Sequence, residues 1–358
     1  MPQCEWLGAS HHAARRSETR HMFSIASQAL PLNETSADAM IARVVALRGF
    51  GGRRSDEAVL VIDGVVTGSL LGDVANAQIL AAAAAGATSG GVTVLDVAIA
   101  DDAAVGCGLA CGGRATVMVQ PISQIPLLAW RTLVACEPVV VATLVGGEEV
   151  GRSIAVTLDG TLDGSLGDPS VTVEAVHACR SLLDRAKDLS ATVMTEAGPL
   201  LVTLLRPPAR LLVVGEAALA DAIAAQGALL GWSTAIVGEA VGAESIAAQS
   251  GGLGPGDALV VLAHDLPVSC AAIAAALGGR CGYVGALGSR HTQTARADVL
   301  RNSGVPDEAL GRVHGPVGLD LGARTPEETA LAIAAEIVAT LSGRTAASLR
   351  THTGPING

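Results

Sequence analysis

Aromatic residues are nearly absent: Phe, Tyr and Trp make up 2% of the 358 residues. The core must therefore be built from Ala, Val, Leu and Ile, and the chain is 50% hydrophobic. The same scarcity removes the stacking platforms that single-strand nucleic acid binders use. Lysine is reduced to Lys187, charged residues are 16% of the chain, and the net charge is −11. No basic patch stands out, so nucleic acid is not an expected partner, and an acidic balance disfavours anionic membrane surfaces. The preference for arginine over lysine, with the Ala and Gly excess, points to a GC-rich bacterial genome. Long apolar runs are also missing. The most apolar stretch, Leu127 to Val145, is broken by Arg131, Glu137 and Pro138, short of the ~20 apolar residues a membrane helix needs. The first residues lack the apolar stretch of a secretion signal, so secretion is not expected. Residues 1–35 are polar, with His11, His12, Arg15, Arg16 and Arg20, and are expected to form a poorly ordered leader. Seven cysteines without a disulfide rhythm are expected to be reduced, in the cytoplasm.

The length suggests two domains. The expected boundary is Leu205-Arg206-Pro207-Pro208-Ala209, because two consecutive prolines continue neither a helix nor a central strand. After it, the apolar run 210–214 ends at Gly215, a helical stretch covers 219–230, and a strand covers 233–237, which is a βαβ unit. Further strands are expected at 258–263 and 282–286, with helices at about 268–277 and 292–303. Thr325-Pro326-Glu327-Glu328 reads as a capping box with proline at the first helical position. Leu331, Ala334, Ile337, Val338 and Leu341 then repeat at helical spacing as one buried face. Alternating strands and helices imply a parallel, Rossmann-like sheet over 206–345, followed by a tail at 346–358. The preceding α/β domain, 36–205, carries an internal duplication. Asp63-Gly64 with Gly68-Ser69-Leu70-Leu71-Gly72-Asp73 is echoed by Asp159-Gly160 with Gly164-Ser165-Leu166-Gly167-Asp168. Asp-Gly marks a hairpin turn, so each copy reads as a hairpin followed by a helix.

Several motifs carry chemistry. Gly106-Cys107-Gly108-Leu109-Ala110-Cys111-Gly112-Gly113 is a glycine-rich loop with two thiols ahead of a strand at 115–119. Neighbouring N–H groups favour a thiolate, which suits a soft or high-valent metal or a persulfide. The C-x3-C spacing is not a zinc signature, and two small buried cysteines in a turn are the plainer alternative. Gly215-Glu216-Ala217 occupies the place of a dinucleotide fingerprint, but Ala217 crowds a diphosphate and Glu216 repels it. NAD or another dinucleotide is therefore not the expected cofactor, although Glu239 could accept from a ribose. His264 and Asp265 end a parallel strand, where α/β folds place ligands; a helix-capping Asp265 beside a solvated His264 is the alternative. Gly285, Gly288, Ser289 and Arg290 form one glycine turn, and Gly318, Asp320, Gly322, Arg324 and Thr325 another. Each lies next to an expected helix start and carries an arginine, which points to an anionic ligand, with surface ion pairs as the alternative.

The runs 257–265, 282–290 and 315–328 resemble the XdhC/CoxI family of molybdenum hydroxylase accessory proteins almost letter for letter. The likeness extends from about residue 40 to 345. It implies an α/β domain followed by a Rossmann-like domain, often in a homodimer. It further implies a protein, not itself an enzyme, that binds molybdenum cofactor, a pterin dithiolene with a phosphate tail or in a dinucleotide form. Such a protein presents the cofactor for sulfuration by a cysteine desulfurase and delivers it to an apo-hydroxylase of the xanthine or carbon monoxide dehydrogenase type. Gly108-Leu109-Ala110-Cys111-Gly112-Gly113 resembles the family's cysteine loop, so Cys111 carries over as the functional thiol and as the ligand approaching molybdenum, with Cys107 beside it. Two positions depart from the pattern. Leu71-Gly72-Asp73-Val74-Ala75 stands where the family has a second cysteine, and Gly215-Glu216-Ala217 lacks the second glycine. Two other readings remain: a nucleotide-binding oxidoreductase, and a non-catalytic assembly factor that contacts an apo-dehydrogenase.

Overall fold

The computed structural model describes residues 21–49, 56–101, 104, 112–183 and 190–351. The chain divides into two compact units, Met1–Pro207 and Pro208–Gly358.

The first unit holds two five-stranded antiparallel sheets of the same design. One contains β1 (Ala39–Arg48), β2 (Ala58–Ile62), β3 (Val65–Thr67), β4 (Thr93–Ile99) and β5 (Gly113–Pro121), in the order β3-β2-β1-β5-β4. The other contains β6 (Val139–Leu144), β7 (Ser153–Thr157), β8 (Leu162–Gly164), β9 (Ser190–Thr195) and β10 (Gly198–Leu205), in the order β8-β7-β6-β10-β9. Helix α2 (Asn76–Ser89) follows the first hairpin, α3 (Leu127–Val134) links the two halves, and α4 (Pro169–Leu183) follows the second hairpin. Strand order and helix placement match element for element, which is the expected duplication. Asp63 (φ 50°) and Gly64 (φ 73°) are both left-handed, as a two-residue turn between Ile62 and Val65 requires.

Strand periodicity explains the layers. Met40, Ala42 and Val44 pack with Ile79, Ala82 and Ala83 of α2. The alternate residues Ala39 and Ile41 meet Val139, Val141 and Leu205 of the second sheet, and Val45 meets Leu201. Each Val, Leu, Ile or Met side chain buried in this way contributes about 1.5–3 kcal/mol, and each alanine methyl about 0.8 kcal/mol. Arg43 and Thr143 hold corresponding mid-strand positions facing each other, and Arg43 Nη2 donates to Thr143 Oγ1 at 2.6 Å. Arg43 is 5% exposed, and it also donates to Gln120 Oε1. Burial pushes its pKa down to about 10, so it remains a cation at neutral pH.

The polar leader expected over 1–35 is in part folded: Met22–Glu34 forms α1. Its Met22, Ile25, Ala26 and Ala29 are buried in the same cluster as Trp130 of α3. Those four short apolar positions were masked by the polar residues around them. Cysteine use also differs from expectation. Cys179, Cys270 and Cys281 are free and buried, but Cys136 is disulfide-bonded.

The second unit is built on β11 (Arg210–Val214), β12 (Ser233–Val237), β13 (Ala258–Val261), β14 (Tyr283–Ala286) and β15 (Val313–His314). All pairs are parallel, in the order β12-β11-β13-β14-β15. Its helices are α5 (Ala218–Leu229), α6 (Ala243–Gly251), α7 (Leu266–Gly278), α8 (Arg290–Asn302), the one-turn α9 (Asp307–Leu310) and α10 (Pro326–Ser342). Helices α5 and α10 bury Ala220, Ile223, Ala330, Ile333 and Ile337 against Leu211, Val213 and Val260, while α7 packs on the other face, against β13 and β14. At the strands' N-terminal ends, Asp257 accepts from Arg210 N, Nε and Nη2 and from Gly254 N, at 2.6–2.9 Å. The buried face of α10 differs from the sequence expectation. Leu331 and Val338 are 51% and 44% exposed, and the sheet instead receives the stripe Ala330, Ile333, Ala334 and Ile337.

Candidate functional site

The strand order β12-β11-β13 reverses direction between β11 and β13, and open α/β sheets bind ligands outside the carboxyl ends of the strands at that point. Gly215 turns the chain there at φ +119°, and a Cβ on it would lie 2.9 Å from Ala263 N. Glycine serves close backbone packing at this position. Ala217 is extended (φ −174°) and caps α5 without a side-chain bond. The Glu216 carboxylate lies over Gly238, where a Cβ would be 2.6 Å from its Oε1. Glu239 Oε1 accepts from His264 N at 2.7 Å, so its carboxylate is turned to the backbone of the neighbouring loop. Asp265 caps α7 by accepting from Val268 N at 2.8 Å, and His264 is exposed beside it. The Glu216 carboxylate beside the turn disfavours a diphosphate there.

One strand further along, the end of β14 has the opposite character. Ser289 caps α8, with its Oγ accepting from Thr292 N at 3.2 Å. No acidic residue lies in the first turn of α8; Arg290 and His291 stand there, both exposed. The N–H groups of Gly288, Ser289, Arg290 and His291 meet no acceptor among the described residues. Gly288 adopts φ +133°, which favours glycine. Gly285 serves packing: a Cβ there would fall 2.6 Å from Val317 Cγ2 and 2.9 Å from the Tyr283 hydroxyl.

The second glycine turn is engaged within the protein. Gly318 N donates to Glu336 Oε2 at 2.8 Å. Thr325 and Glu328 form the expected capping box, and Arg324 N also donates to Glu328 Oε2, at 2.7 Å. Glu327 and Glu328 occupy the first turn of α10, so this helix start already carries its own negative charge. Asp320 and the Arg324 side chain are exposed. The described structure thus gathers Gly215, Glu239, His264, Asp265, Gly288, Ser289 and Arg290 at one edge of one sheet. Gly318, Arg324 and Thr325 are tied instead to α10.

A network absent from the sequence reading supports this edge. Glu336 Oε2 accepts from the Tyr283 hydroxyl at 2.6 Å as well as from Gly318 N, and Glu336 Oε1 lies 3.2 Å from His314 Nδ1. The Tyr283 and His314 rings stack with centroids 4.6 Å apart. Burial, then the bond to Glu336 and its charge, push the Tyr283 pKa far up. The available signal was that Tyr283 is the chain's one tyrosine.

In the first unit, Cys107 and Cys111 lie outside the described residues. The segment 100–112 that contains them connects β4 to β5, where the second repeat makes the same connection with Glu196-Ala197 alone. Gly112 N donates to Asp101 Oδ1 at 2.8 Å, and a Cβ on Gly112 would fall 2.4 Å from Ile99 O. Gly113 begins β5. Ala104 is buried in the same cluster as Leu71, in a turn where Leu71, Gly72 and Asp73 are all left-handed. Among the described residues no group of three His, Cys, Asp or Glu could hold a metal ion, and no helix is long and apolar enough to cross a membrane.

Comparison with known proteins bears on both units. A 56-residue stretch is 41% identical to the uncharacterized protein YqeB of Escherichia coli (strain K12), covering 16% of this chain and 10% of that protein. A 132-residue stretch is 31% identical to the molybdenum cofactor insertion chaperone PaoD of the same organism, covering 37% of this chain and 40% of PaoD. The chain spans less than half the length of these curated relatives. A crystal structure described as a xanthine dehydrogenase from Bacillus halodurans superposes with a TM-score of 0.56 at 17% identity, covering 89% of this chain and 98% of that one. At that identity the likeness is one of fold. Residues 211–337 match the family model of the XdhC Rossmann domain, and the second unit is a domain of that type.

Proposed function

We propose that this chain is a molybdenum cofactor maturation protein that holds the cofactor and passes it to an apo-molybdenum hydroxylase. The observation that carries the reading is the turn at 288–291. It offers four consecutive N–H groups without an acceptor among the described residues and one exposed guanidinium, Arg290, in a Rossmann domain of the XdhC type. Such a turn suits the phosphate of the pterin, since N–H groups and arginine both favour a dianion. The similarity to PaoD, an insertion chaperone by name, supports the same reading. Glu216 and the missing second glycine at Ala217 argue against a bound dinucleotide.

In this proposal the cofactor is cargo. Ser289 and Arg290 orient its phosphate, and His264 stands nearby on the same sheet edge as a donor. Cys111 and Cys107, the thiols carried over from the family resemblance, are proposed to receive the sulfur delivered by a cysteine desulfurase, and the chain acts as a homodimer without catalysing turnover of its own. The test is pterin and molybdenum analysis of protein purified from cofactor-replete cells, beside Cys111→Ala and Arg290→Ala. A fluorescent oxidised pterin should accompany the wild type and fall in both variants. Its absence from the wild type, or equal retention in both variants, sinks the proposal.

A further inference from the structure

Two arginines of α8 differ in burial. Arg290 is exposed, whereas Arg296 is 3% exposed. Among the described residues no carboxylate pairs with Arg296, and its partners are neutral. Its Nε donates to Ser269 Oγ at 3.3 Å, and its Nη1 donates to Leu287 O at 3.3 Å and to Gln293 Oε1 at 2.8 Å. Desolvation lowers its pKa, yet a guanidinium remains protonated at neutral pH. An unneutralised buried cation costs stability, and this one sits directly beneath the turn that follows β14.

Gln293 completes the arrangement. Its Nε2 donates to Ala286 O at 2.9 Å and to Gly288 O at 3.4 Å. Three successive carbonyls, of Ala286, Leu287 and Gly288, are therefore each held by Arg296 or Gln293. The same turn leaves the N–H groups of 288–291 without acceptors. Partial negative charge is held on the buried side by donors, and the field of the guanidinium adds to that of the unpaired N–H groups. The start of α10 lacks both features: its carboxylates Glu327 and Glu328 fill the first turn.

We infer that Arg296, through Gln293 and the three carbonyls, is the positioning residue that makes the 288–291 turn bind a phosphate group. The inference deepens the proposed function and rests on its assignment of the phosphate to this turn. Arg290 adds an exposed contact; Arg296 sets the backbone and the field.

The test is an amide NMR titration of the full chain with inorganic phosphate, with sodium chloride at matched ionic strength as the control. In the wild type the amides of 288–291 should shift saturably, and those of 216–219, 325, 327 and 328 should not. Arg296→Met should weaken phosphate about tenfold or more, and Arg296→Lys, which keeps the charge without the planar fork, should recover part of the loss. Gln293→Leu should weaken it with no change in charge. Affinity within about twofold of wild type in a folded Arg296→Met variant overturns the inference. Should that variant not fold, the wild-type titration decides alone, and unmoved amides at 288–291 overturn it. Phosphate binding that is independent of Arg296, with pterin still retained, ends this inference and leaves the proposed function standing. Phosphate binding through Arg296 in a protein that never retains pterin does the reverse.

Discussion

Removing the Glu336 carboxylate should cost more stability than any other single change on the surface of α10. Glu336 serves three partners at once: the Tyr283 hydroxyl at 2.6 Å, Gly318 N at 2.8 Å and His314 Nδ1 at 3.2 Å. Tyr283 is 1% exposed, so water does not readily replace the lost acceptor. A buried donor left without a partner costs about 1–3 kcal/mol. Two such donors give about 2–6 kcal/mol for Glu336→Ala, a large share of a typical stability of about 5–15 kcal/mol. Glu336→Gln keeps one acceptor oxygen and should cost about half as much. Tyr283→Phe removes one bond to a charged group, about 1.5–3 kcal/mol. Because the two residues are in contact, the double variant should lose less than the sum of the singles. Urea denaturation of the four proteins measures this. The pH dependence has a definite sign. Burial and Glu336 raise the Tyr283 pKa above its ordinary value of 10. The folded state therefore keeps a proton that the unfolded state releases, and this contribution is fully present below pH 10 and lost as pH rises beyond it. Tyr283→Phe should flatten the alkaline arm of the stability curve. A native phenol that titrates near its ordinary value, or a Glu336→Ala cost under ~0.5 kcal/mol, refutes the reasoning.

Three further outcomes are expected. Thr143→Val leaves Arg43 without its shortest bond and should cost about 1.5–3 kcal/mol in urea unfolding, while Arg43→Met, which removes the buried charge with it, should cost less than Arg43→Ala. Burial pushes the Cys179 thiol up to about 12 and Cys281 up to about 11. Both should resist a thiol reagent in the native state at mildly alkaline pH and react on unfolding, and the stability they contribute is lost as pH rises from their ordinary value of 9.0 through those values. On α10, Ile333→Ala should cost about 2–5 kcal/mol, whereas Leu331→Ser and Val338→Ser should stay within ~0.5 kcal/mol; similar losses at all three sites would contradict the observed face.

What the sequence determined by itself is the local grammar. The prolines at 207–208 and the glycine at 215 bracket β11, and the apolar run between them has one short, extended solution. Thr325, Pro326 and Glu328 set the start of α10, because capping depends on residues three apart. The repeated Asp-Gly turns announced the duplication that the two matching sheets display. What only the tertiary structure decided is which of several locally equivalent choices is buried. The apolar residues of α10 fit more than one helical stripe, and packing on the sheet selects Ile333 over Leu331. The apolar face of α1 is too short to read without the cluster that covers it. Glu336, Tyr283 and His314 meet across 53 residues of chain, beyond any spacing rule. Arg290 and Arg296 carry the same charge in the sequence. Desolvation by α7 and the β14 turn separates them, because the field of a cation depends on how much water surrounds it.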